Sequence, residues 1–240
     1  VKLYHGTSEP IARLILEQGL RPRSLTGVPG NWTHTVDSSP DCVYFSVAYA
    51  PYFAAIASNE DERWAIVEVE TDRLEPSLMR PDEDFLEQAT RGEGLKLLPS
   101  DIQRCLRKLK TVKDRTLWFR ENLCLFAPSW SQSIEGLGNA AYEGVVPPSA
   151  ITRVAFFDQD SNPMIAMDAC DPVVGMLAFK VMGQKHCAVT KWFFDPQEFF
   201  PGDLQPDQVP DDERFSILRK TAERRQEALQ KRDGLEILVR

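Results

Sequence analysis

Ile11, Leu14 and Ile15 recur at i, i+3 and i+4, the spacing of one helical face, and predict an amphipathic helix over residues 9–18. Ser8 before it suits an N-cap, Pro10 its first turn and Gly19 its C-cap. Residues 2–5 are short and partly apolar, and predict a strand that ends at His5. The pattern then lapses. Residues 21–41 are rich in Pro, Gly, Ser, Thr and Asp without apolar periodicity, which predicts a long loop of the kind that often carries function. Apolar runs predict buried strands at 42–46 and 64–70, with a helix of small residues at 49–58 between them. Helical spacing returns at 82–91, at 101–109, where Ile102, Cys105, Leu106 and Leu109 share a face, and around 114–122.

Two strand-like pieces, 142–146 and 152–157, flank a Pro-Pro turn. The order of strand, helix, loop, strand, helix, strand, helical insert and strands predicts an α+β fold rather than a regular βαβ alternation. Beyond it, residues 195–213 are acidic and Pro-rich, which predicts a surface loop, and 212–231 read as a highly charged helix. No internal repeat is visible. The expected organisation is a catalytic core over 1–160 and a C-terminal helical extension over 161–240, packed on the core or continuous with it.

Composition narrows the classes. Formal net charge is −8, which argues against a chain built mainly to coat nucleic acid, although a local basic groove stays open. Such a groove would have to come from Arg104, Arg107, Lys108, Lys110, Lys113 and Arg115, for which a solvated helix face is the simpler account. The five cysteines, Cys42, Cys105, Cys124, Cys170 and Cys187, are odd in number and without a Cys-x-x-Cys pair, so neither a disulfide framework nor a zinc site is expected. No apolar run approaches membrane-spanning length and no signal-peptide core opens the chain, so the expectation is a cytoplasmic protein with no membrane partner. A secretion route that leaves no cleavable signal, delivering the chain into a target cell's cytosol, would be invisible here.

Three pieces remain: His5-Gly6-Thr7 at the strand exit, Tyr44-Phe45-Ser46 in the second strand and Tyr142-Glu143-Gly144-Val145-Val146 in a late strand. In this order they resemble the ADP-ribosyltransferase superfamily, in the His, Tyr, Glu branch of poly-ADP-ribose polymerases and diphtheria-type toxins. The resemblance covers roughly the first two thirds of the chain and includes "HGTS" followed by "IL..GL", "VYFS" followed by a Tyr-containing helix, and "YEGVVPPSAI". It implies a split mixed β-sheet core with helices, and NAD as co-substrate.

The resemblance implies that Glu143 hydrogen-bonds the 2′-hydroxyl of the nicotinamide ribose and stabilises the positive charge that develops when the glycosidic bond breaks. It makes His5 an anchor for the adenine-side ribose and gives the backbone of Gly6, free of a side chain, to the nicotinamide carboxamide. Tyr44 becomes an aromatic wall, with Tyr49 or Tyr52 as the second, at a shorter spacing than in the polymerases. Thr7 and Ser46 complete the implied NAD-binding set; Ser46 could equally just end a strand. Asn31, Trp32, Thr33 and His34 would form a lid or a plain loop, and Glu135, in the loop before the late strand, is an understudy for Glu143.

The implied activity is transfer of ADP-ribose from NAD to a macromolecular acceptor, protein or nucleic acid, one unit per site, with release of nicotinamide. An RNA 2′-phosphotransferase, which shares an early His-Gly-Thr, and an inactive NAD or ADP-ribose binding module are the alternatives. No metal is expected, since no cluster has ligand spacing.

Overall fold

The short apolar runs become strands and the periodic faces become helices. The computed structural model describes residues 1–28, 37–47, 49–59, 61–157 and 235–239. In chain order the strands are β1 (Lys2–Ser8), β2 (Cys42–Ser46), β3 (Trp64–Glu70), β4 (Met79–Pro81), β5 (Asn139–Glu143), β6 (Ile151–Phe157) and β7 (Leu235–Val239). The helices are α1 (Glu9–Gln18), α2 (Arg23–Thr26), α3 (Ala50–Ala57), α4 (Glu83–Ala89), α5 (Glu93–Lys96), α6 (Ser100–Leu106), α7 (Val112–Glu121) and α8 (Trp130–Leu137), with a 3-10 turn at Leu123–Ser129. The fold is α+β. Its chain divides into two compact units of interleaved segments.

The first unit comprises Val1, Ile15–Ser46 and Glu70–Ala150. Its strands lie in the order β4-β5-β2, with both pairings antiparallel. Cys42 pairs with Glu143, Tyr44 with Ala141, and Arg80 with Ala141 from the other side. Because side chains alternate and directly paired residues share a face, Cys42, Tyr44, Arg80, Ala141 and Glu143 project to the same side. That side is covered by the helical insert: Leu86, Leu106, Phe119, Leu123 and Phe126 pack with Cys42 and Ala141, and Tyr44 and Trp118 border the cluster. Pro81 is tolerated within β4 because β4 is the outermost strand of this order, where a missing N–H breaks no central ladder.

The second unit comprises Lys2–Leu14, Val47–Val69 and the described part of Ile151–Arg240. Its strands run β1-β3-β6-β7, with β3–β6 and β6–β7 antiparallel and a register shift between Glu68 and Val69. Leu3, Tyr4, Ile66, Val67, Val154 and Phe156 are all buried. Helix α3 lies against β1, and its small residues explain how closely: a Cβ on Gly6 would fall 1.8 Å from the Ala50 carbonyl oxygen and 2.6 Å from the Ala54 nitrogen.

Several expectations shift. The first strand does not stop at His5 but continues through Ser8, so His5, Gly6 and Thr7 are strand residues and Ser8 is not a free-standing cap. The first helical N–H, of Glu9, instead donates to the Arg63 carbonyl at 3.0 Å. The late strand is Asn139–Glu143 rather than 142–146: Gly144 adopts φ +96, which turns the chain out of the ladder, and Val146 makes only an isolated bridge with Leu20. Glu135 lies on α8, not in a loop. Helix α2 interrupts the long loop, and α5, α8, β4 and β7 had no sequence expectation. Residues 195–213 and 212–231 lie outside the described residues, as does all of 161–240 except Leu235–Val239, which pairs with β6.

Candidate active site

Glu143 is the last residue of β5, and Gly144 immediately turns the chain away while its N–H donates to the Asp41 carbonyl at 2.9 Å. The exit is braced by the two residues that follow α1: Leu20 and Val146 exchange two backbone hydrogen bonds of 2.9 Å, and Gly19, at φ +81, is where a Cβ would strike the Val146 carbonyl oxygen at 2.2 Å. The "GL" and "YEGVV" pieces of the sequence are therefore joined in space. This leaves the Glu143 side chain 47% exposed at a fixed strand end.

Its carboxylate is gripped from the side. Arg80 Nε and Nη2 both approach Glu143 Oε2, at 2.9 and 2.6 Å. The guanidinium is itself buried, and its Nη1 donates to the carbonyls of Ser77 at 2.5 Å and Met79 at 2.8 Å. Ala141, paired with Arg80 on one side and Tyr44 on the other, is small enough to leave room between them. Among the described residues no hydrogen bond reaches Glu143 Oε1.

Tyr44 is half-buried, and its hydroxyl is engaged from both sides. The Ser39 N–H donates to it at 2.8 Å, so its own proton goes to Glu83, whose oxygens lie at 2.9 and 3.1 Å. Burial first, then the Glu83 charge, pushes the Tyr44 hydroxyl well above its usual range. Glu83 sits at the start of α4, and burial followed by the neighbouring Asp82 charge pushes it up to about 8. Asp82, the N-cap of that helix, accepts from the Asp84 N–H at 2.8 Å, yet burial and the Asp84 charge push it up to about 7. Cys42, opposite Glu143, is pushed up to about 12, mainly by burial, so its thiol stays neutral and is no nucleophile.

Ser46 ends β2, is buried and pairs with Asn139, which fits a strand end. In the second unit His5 is half-buried on β1, and Gly6 and Thr7 are buried beside it. The missing side chain of Gly6 has a packing reason in α3, whatever else its backbone meets. Tyr49 precedes α3 and is half-buried, and Tyr52 lies in the helix's first turn. Asn31, Trp32, Thr33 and His34 lie outside the described residues.

The basic segment resolves into separate tasks. Arg115 turns inward to Thr90 Oγ1 at 2.8 Å and to buried Glu87 at 3.5 Å, while Arg107 bonds Gln103. Arg104, Lys108, Lys110 and Lys113 are exposed on two different helices and in the turn between them. Among the described residues no group of His, Cys, Asp and Glu could hold a metal ion, and no helix is long and apolar enough to cross a membrane.

Arg80 and Glu83 had no place in the sequence reading. An Arg-Pro-Asp-Glu-Asp run before a periodic segment signals a helix start, and only strand pairing shows that Arg80 faces Glu143. Comparison of the sequence with protein-family models and with curated proteins gives no match.

Proposed function

We propose that this protein is an NAD-dependent ADP-ribosyltransferase with a split-sheet core, moving single ADP-ribose units from NAD to a protein or nucleic-acid acceptor. The observation that carries the reading is Glu143: a half-exposed carboxylate at a braced strand end, one oxygen held by Arg80, on the same face as Tyr44. In the reaction the bond between ribose C1′ and the nicotinamide nitrogen breaks, and nicotinamide leaves with the electron pair. The acceptor forms a new bond to C1′ and loses its proton. A fixed carboxylate beside the ribose favours the positive charge of that transition state, and Oε1 is the oxygen left to accept the ribose 2′-hydroxyl.

Tyr44 serves through its ring, because its hydroxyl is already spent on Ser39 and Glu83. A flat ring with locked rotation suits stacking on nicotinamide. The resemblance further assigns Tyr49 or Tyr52 as the second aromatic, His5 to the adenine-side ribose, and the backbone of Gly6 and Thr7 to the carboxamide.

The test is incubation with NAD labelled in the ADP-ribose portion, in a cell extract treated in parallel with protease and nuclease, while free nicotinamide is followed. Nicotinamide release that Glu143→Gln lowers by about 100- to 1000-fold, with label on protein or nucleic acid, is expected. Absence of nicotinamide release by the wild type with every extract refutes the enzyme reading.

A further inference from the structure

We infer that Arg80 is a positioning residue for Glu143, turning an ordinary strand-end carboxylate into one with a single, aimed oxygen. The inference rests on the reading that Glu143 acts on NAD. A guanidinium usually meets a carboxylate fork to fork, with each oxygen taking one N–H. Here both Nε and Nη2 converge on Oε2, so Oε1 is spared. The guanidinium cannot swing to the other oxygen, because Nη1 is tied to the carbonyls of Ser77 and Met79 and the side chain is only 8% exposed. Strand register sets the approach direction: Arg80 pairs with Ala141, two residues before Glu143 and on the same face. A glutamate at a strand end otherwise samples several staggered rotamers, most of which would not point at a substrate.

A group that only aims another acts in the transition state and only through it. Arg80→Met should therefore lower kcat by about 10- to 100-fold, the scale of an ångström-level misplacement, and leave KM for NAD within about twofold. The same change made in Glu143→Gln should cost no further rate, because the oxygen it would aim no longer carries the charge. Arg80→Lys keeps a cation but not the fork, and should fall between wild type and Arg80→Met.

The experiment is this double-mutant cycle, read as nicotinamide release from NAD with melting temperatures measured alongside. Arg80→Lys is carried through the same cycle, so a folding defect in Arg80→Met does not decide the outcome. The inference is overturned if either Arg80 variant loses the same factor in both backgrounds, if the loss falls on KM alone, or if Glu143→Gln is slow while both Arg80 variants match wild type. A different result, wild type and Glu143→Gln equally active or equally inactive, removes the Glu143 reading itself and the inference with it.

Discussion

Each unit holds a glutamate among cations on its strands, and the two are built for opposite ends. Glu68, in the second unit, is buried: Oε1 takes Lys2 at 3.0 Å and Thr152 at 2.8 Å, and Oε2 faces Arg153 Nε at 3.7 Å. Glu143, in the first unit, meets one arginine through Oε2, and its side chain is half-exposed. A buried charge cluster holds its partners within the folded unit; an exposed carboxylate leaves charge available to a ligand. A charged pair on a sheet is thus not a site by composition: each carboxylate is hydrogen-bonded through one oxygen, and what distinguishes the two is burial, Glu68 being 2% exposed and the Glu143 side chain 47%.

The comparison is broken most directly by removing each charge in turn. Glu68→Gln leaves buried Arg153 facing a neutral amide and should cost about 3–5 kcal/mol in urea unfolding. Glu143→Gln, half-exposed, should change stability by less than about 1 kcal/mol while abolishing most of the proposed activity. Equal stability losses in the two variants would show that Glu143 is structural as well.

Next in size is the pH response of the first unit. Glu83, raised to about 8 from an ordinary 4.5, binds its proton more tightly folded than unfolded. Between those values the native state holds more protons, so stability should fall as pH rises through that window, by a few kcal/mol at most, with the cost absent below it and complete above it. Glu83→Gln, which can still accept from Tyr44, should flatten the fall of the urea midpoint between pH 5 and pH 8. A slope identical to wild type would place the titration elsewhere.

Two glycines give the smaller contrasts. Gly6→Ala drives a Cβ into the backbone of α3 and should cost about 1–3 kcal/mol, measured by thermal or urea unfolding. Gly144→Ala meets nothing within 4 Å, and its cost, about 1 kcal/mol, comes from the φ of +96 alone. If Gly6→Ala proves the milder of the two, α3 can withdraw from β1 and the close packing is not required.

Much of the architecture was legible because local pattern and final state agree. Strands Cys42–Ser46 and Trp64–Glu70 and helix Glu9–Gln18 appear with the bounds that apolar runs and end signals predict. The failures fall where a local signal was outvoted: Ser8 resembles a cap but is drawn into β1, and Val145 and Val146 resemble strand but follow a glycine that breaks the ladder. Strands β4 and β7 had no sequence expectation because three residues ending in proline, and four apolar residues around Glu236 beside a charged segment, carry no pattern that outweighs their surroundings.

By itself the sequence determined much of the alternation of elements and the candidate order of His5, Tyr44 and Glu143, since both follow from periodicity, end signals and resemblance within short windows. Only tertiary structure decided that Arg80 grips Glu143 across 63 positions of chain, that Glu83 takes the Tyr44 proton across 39, and that Gly6 is bare for the sake of α3. The physical reason is the same in each case. Strand register and helix docking choose which side chains meet, and that choice depends on the burial of the whole unit rather than on any residue's neighbours in sequence.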